Sequence, residues 1–168
     1  MKKILFAFFM MMNLASHAQT TYDISKDAEN NEVVFNGPLT FNDLNKEQSF
    51  TWLKNGYAEF KPNEKAGEYL RAHLNEYTMV VFLGTWCDDS HELVPKLAKL
   101  LDYVGYNKGQ ITMYGVDRQK KTKNGEEKKY NVTLVPTIIL FKDGKEAGRI
   151  TESVQKGLEA DLVAIIKR

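Results

Sequence analysis

The chain has 168 residues, with 23 Lys and Arg against 22 Asp and Glu, 43% hydrophobic side chains and one cysteine. That apolar content and length fit one globular domain and exclude a disordered chain. A net charge of +1 leaves no electrostatic footprint for gripping nucleic acid, and one cysteine excludes an intrachain disulfide and any Cys-rich zinc or iron–sulfur centre.

Met1, Lys2 and Lys3 precede an apolar run from Ile4 to Met12, and Ser16-His17-Ala18 places small residues at the −3 and −1 positions of a cleavage site. This layout predicts a secretory signal peptide over residues 1–18, cut after Ala18, with export to the periplasm and no stable membrane insertion afterwards. The run is shorter than the ~20 apolar residues of a membrane-spanning helix. Gln19 to Asn31 is polar and without periodicity and reads as a loose leader. Val33-Val34-Phe35 is a short strand closed by a turn signature, Asn36-Gly37-Pro38. Thr40 to Phe60 mixes apolar and polar residues as one or two short helices. Asn63 caps a further helix carrying Leu70, Leu74 and Tyr77 on its inner face.

From Met79 to Leu83 a continuous apolar run of strand length ends at Gly84, the pattern of a central strand covered on both faces. His91 to Tyr103 has helical spacing through Leu93, Val94, Leu97, Leu100 and Leu101, with Pro95 expected to kink it. Ile111 to Val116 is a second strand, ending at Asp117. Arg118 to Lys129, with six basic and two acidic residues, reads as a solvated loop around Asn124-Gly125. Thr137 to Phe141 is a third strand, turned by Lys142-Asp143-Gly144-Lys145 into Ala147 to Ile150. Ser153 to Ile166 closes the chain as an amphipathic helix. The predicted class is α/β, a central mixed sheet flanked by helices.

Cys87 lies at the junction between the apolar strand and the following helix. Free N–H groups and the positive end of the helix dipole there favour the thiolate, the species that attacks disulfides. Asp88 and Asp89 oppose this by charge and instead serve as helix caps. Cys87 and His91 stand i, i+4 with Asp88 and Glu92 adjacent, a pairing that suits zinc or copper, but two good ligands alone make a weak site. His91 is therefore expected to face solvent near the thiol, with no metal and no prosthetic group. His73 is expected to be exposed on its helix.

The strand Val80-Val81-Phe82-Leu83, then Trp86-Cys87-x-x-Ser90, Pro95, the triplet Val135-Pro136-Thr137 and Ile138 to Gly144 follow one another with the order and spacing of the thioredoxin superfamily, which residues 63–168 resemble. Residues 19–62 form an N-terminal extension to a thioredoxin-like fold. The resemblance implies that Cys87 is the nucleophile, that Trp86 shapes its rim, and that a cis Pro136 brings its loop against the sulfur so that Val135 offers backbone to an extended substrate, with Thr137 beside it. It also implies three departures. Ser90 replaces the resolving cysteine, Val81 replaces a buried acid that assists proton transfer in many members, and Glu152 replaces a glycine beside the groove.

Two readings of function stay open. In one, Cys87 works as a monothiol thiol–disulfide oxidoreductase, exchanging mixed disulfides with exported proteins or low-molecular-weight thiols, while Ser90 hydrogen-bonds the sulfur. In the other, the fold is a non-catalytic module that binds extended or partly folded exported chains.

Overall fold

The computed structural model describes residues 21–168, so the expected leader over 1–18 lies outside the described residues. Its centre is β3 (Thr78–Leu83), flanked by β4 (Ile111–Gly115) in parallel and β5 (Thr137–Lys142) antiparallel. Alternation along β3 divides its side chains between two cores. Met79, Val81 and Leu83 enter the larger one, and Val80 and Phe82 enter a smaller one on the opposite face. β5 repeats the division, with Ile138 and Leu140 on one side and Ile139 on the other. A strand apolar at every position is therefore two interleaved faces, each covered.

β6 (Lys145–Thr151) extends the sheet beyond β5 through a tight hairpin whose Asp143 and Gly144 both have positive φ, at 50° and 74°. On the other edge stand β2 (Val33–Leu39) and β1 (Asp23–Lys26), giving the order β1-β2-β4-β3-β5-β6. Two expectations are corrected here. The polar leader contains a strand, because β1 has only to pair with β2 and buries none of its own side chains. Asn36-Gly37-Pro38 lies inside β2 rather than closing it, with Gly37 and Pro38 opposite Gly115 and Tyr114 of β4. Turn-forming residues are tolerated there at the end of the ladder.

The larger core is roofed by α1 (Phe41–Lys46), α2 (Thr51–Glu59), α3 (Glu64–His73), α4 (Asp88–Val104) and α6 (Leu158–Ile166). Thr40 and Asp43 form a reciprocal capping box on α1, and the Asn63 side chain caps α3 by accepting from Ala66 N–H. α4 runs unbroken through Pro95 and ends on Gly105, whose φ is 69°. α6 begins at Leu158, later than the sequence pattern predicts, since Gly157 with φ 116° still belongs to the preceding turn.

α2 and α4 pack along their length in register. Trp52 and Gly56, one turn apart on α2, meet His91 and Pro95, one turn apart on α4. A Cβ on Gly56 would stand 2.6 Å from Pro95 Cγ, so the close approach needs glycine. Next along, Tyr57 donates its hydroxyl to Asp102 at 2.9 Å.

The opposite face of the sheet is covered by residues 116–135 and the short α5 (Glu126–Lys129). This stretch is more than a solvated loop. The buried Glu127 carboxylate accepts from both the N–H and the hydroxyl of Thr122, and Arg118 pairs with Asp27.

Candidate functional site

Cys87 is the N-cap of α4. Its carbonyl accepts the first helical bond from His91 N–H at 2.9 Å, and its own N–H donates back to Gly84 at 3.0 Å. The strand end at Leu83 and the helix start at Asp88 thus leave only a four-residue loop, Gly84 to Cys87, to carry the thiol. Cys87 is half-buried, and its Sγ donates to the carbonyl of Val135 at 3.4 Å. The Val135–Pro136 peptide bond is cis.

Trp86 lies flat over Gly84, where a Cβ would stand 2.7 Å from the indole, and its Nε1–H donates to Val116 O at 2.9 Å. Two cations sit over its ring, the Arg118 guanidinium at 4.9 Å and the Lys120 ammonium at 5.7 Å from the centroid. Arg118 is itself anchored by both carboxylate oxygens of Asp27, whose side chain is 2% exposed, and by Glu29 at 3.3 Å. The Arg118 hydrogen bonds hold the Asp27 carboxyl down at about 2.

Thr85 ties this loop to β2. Its hydroxyl donates to Val33 O at 2.9 Å and accepts from Phe35 N–H at 3.1 Å, continuing the ladder where β4 has ended. Ser90 is fully buried and its Oγ accepts from Gly84 N–H at 3.2 Å. Its hydroxyl therefore braces the loop from beneath. Val81 is fully buried in the larger core.

Around the sulfur, the structure brings together Trp86, Cys87, Val135 and Pro136. Thr137 is 1% exposed and donates its hydroxyl to Leu134 O at 2.7 Å, so it shapes the loop from inside. Glu152 stands against the loop, donating its N–H to Pro136 O at 2.7 Å with φ 57°, the left-handed conformation that glycine adopts without cost.

The expectation that His91 faces solvent is corrected. Its side chain is 18% exposed, its ring stacks on Trp52 at 4.5 Å and 17°, and Nε2 lies 2.8 Å from Thr85 O. The other ring nitrogen is 3.9 Å from Asp88. Among the described residues no group of three or more His, Cys, Asp and Glu is placed to hold a metal ion. His73 packs its ring against Tyr69 at a 39° tilt and pairs with Glu76 at 3.6 Å, half-exposed rather than free.

Sequence reasoning missed Thr85, Trp52, Arg118 and the inward role of His91. Thr85 was marked only by being a lone polar residue between a buried strand and the tryptophan. Arg118 was hidden inside a charge run.

A thioredoxin family model matches residues 63–168. The chain belongs to the thioredoxin family. A thioredoxin of Echinococcus granulosus is 30% identical over 94 residues, 55% of this chain and 82% of that one. A thioredoxin of Chlamydia trachomatis is 34% identical over 71 residues, 42% of this chain and 64% of that one, so the chain spans just under two thirds of this relative. Among solved structures, a Pseudomonas aeruginosa protein of unknown function shares the fold with a TM-score of 0.59 at 13% identity, covering 78% of this chain and 92% of that one. That share reaches beyond residues 63–168, so the shared fold takes in part of the chain ahead of the region the thioredoxin model matches.

Proposed function

We propose that this thioredoxin-family chain is an exported monothiol thiol–disulfide oxidoreductase. The Cys87 thiolate attacks one sulfur of a substrate disulfide, forming a Cys87–substrate disulfide and releasing the other sulfur as a thiolate. In adduct removal Cys87 takes the small-thiol half and frees the client thiolate, and a second small thiolate then attacks, regenerating Cys87 and leaving a small-molecule disulfide; in isomerisation another thiolate of the client attacks the Cys87–client disulfide, regenerating Cys87 and leaving a new disulfide within the client. No net oxidation is required, so the cycle closes without a second cysteine. It suits isomerisation or removal of small-thiol adducts from exported proteins.

The observation that carries this reading is the half-buried Cys87 at the N-cap of α4, its Sγ 3.4 Å from the Val135 carbonyl. The Val135–Pro136 loop meets the sulfur through the Val135 carbonyl, the neighbouring Trp86 packs over Gly84 of the same loop as Cys87, and the Glu152 N–H holds Pro136 O. Ser90, turned to Gly84 N–H, acts on the thiol by holding its loop. The leader at 1–18 supports a periplasmic location, where disulfide-bearing clients are found.

A second reading, a binding module for extended exported chains, draws support from Leu134, a large apolar side chain 38% exposed next to the Val135 backbone. Cys87→Ala separates the two. Loss of exchange on a glutathionylated peptide supports the oxidoreductase. Undiminished capture of a reduced, partly folded client, with no exchange activity in the wild type either, supports the module.

A further inference from the structure

We propose that His91 is a positioning residue for Cys87, acting through the carbonyl of Thr85; this rests on Cys87 being the reacting group. Three peptide planes set where the sulfur points, and each has its own tether. The Trp86–Cys87 plane is held by Cys87 N–H on Gly84 O at 3.0 Å, and the Cys87–Asp88 plane by His91 N–H on Cys87 O at 2.9 Å. The Thr85–Trp86 plane is held at its carbonyl by His91 Nε2 at 2.8 Å. A carbonyl oxygen only accepts, so Nε2 carries the hydrogen and the neutral ring is the Nε2–H tautomer.

One residue thus grips the loop on both sides of Trp86, with its backbone on one side and its ring on the other. The ring is itself fixed from outside the thioredoxin-matched region. Trp52 of α2 stacks on it, and Gly56 against Pro95 sets the distance between the two helices. Thr85 is 1% exposed, so removing the donor strips its carbonyl of a partner that water does not readily replace. A rotated Thr85–Trp86 plane moves both the indole and the sulfur out of line with Val135, and small misplacements of a reacting atom weaken it disproportionately.

The test compares the rate of Cys87 alkylation by iodoacetamide in three full-length proteins. His91→Phe keeps a ring to stack on Trp52 and removes the donor; His91→Gln restores an N–H donor and loses the stack. The expected result is a fall of roughly fivefold in His91→Phe, the worth of one hydrogen bond, with His91→Gln returning to within about twofold of wild type. His91→Met, which fills the space without a donor, replaces His91→Phe if that variant does not fold. Wild-type rates in the donorless variant overturn the proposal, and so does equal slowing in both variants, which is the signature of lost packing alone. The assay uses no disulfide, so a wild type that fails to turn over disulfides counts against the proposed function and leaves this comparison intact.

Discussion

Asp27 and Arg118 are 91 positions apart in sequence, yet their ion pair supports the tryptophan beside Cys87. The pair gives a pH signature with a definite sign. The folded chain holds the Asp27 carboxyl at about 2, below its ordinary 3.8. Its contribution to stability is therefore complete above the ordinary value and is lost as pH falls from about 4 through about 2. Thermal unfolding followed across that window should show wild type losing stability more steeply than Asp27→Asn. Parallel losses would mean that the pair contributes nothing. Among single residues, the sequence placed Cys87 at the strand-to-helix junction where the structure has it, because the apolar run before it and the helical spacing after it bound the loop closely. It hid Thr85, His91 and Asp27. Their partners lie on Val33, Phe35, Trp52 and Arg118, and no local periodicity connects residues so far apart. Ser90 was legible as the missing thiol, but not as the brace under Gly84.

At the scale of elements, the contact between α2 and α4 tests how the N-terminal helices support the site. Gly56→Ala gains about 1 kcal/mol in helix propensity. Against this, its new methyl would sit 2.6 Å from the rigid Pro95 ring, and overpacking costs about 1–3 kcal/mol. The expected net effect is a loss of about 1 kcal/mol, read from the midpoint of urea denaturation; a gain would show that the helices shift apart freely. The strands at the centre of the sheet were readable because continuous apolar runs of strand length, bounded by Gly and Asp, are hard to place elsewhere. The edge was not. β1 exposes all four of its side chains, so its backbone pairing left no mark in hydropathy. β2 carries Gly37 and Pro38 within it, and their local preference points to a turn. The start of α6 was misplaced because Val154, packed against the larger core, imitates a helical position while the chain is still turning.

The molecule as a whole joins a thioredoxin-family region to an N-terminal segment that shares its core. Phe35, Leu39, Leu44, Phe50 and Leu53 are all buried in the same cluster as Leu97 and Leu101 of α4. A chain reduced to residues 63–168 would open that cluster, expose the β4 edge and leave Thr85 without its strand partners. It should be unfolded or aggregated by circular dichroism and light scattering, whereas a stable monomer of that length would show the segment to be an appendage. In the proposed function one sulfur performs exchange without an internal partner. That proposal is tested most directly by quenching the full-length protein during turnover of a glutathionylated peptide with an external thiol, then mapping adducts by mass spectrometry. A glutathione or peptide disulfide should form on Cys87 and disappear at the rate of turnover, with no exchange above background in Cys87→Ser. Turnover that persists in Cys87→Ser, or a wild type whose Cys87 never carries an adduct, would contradict it.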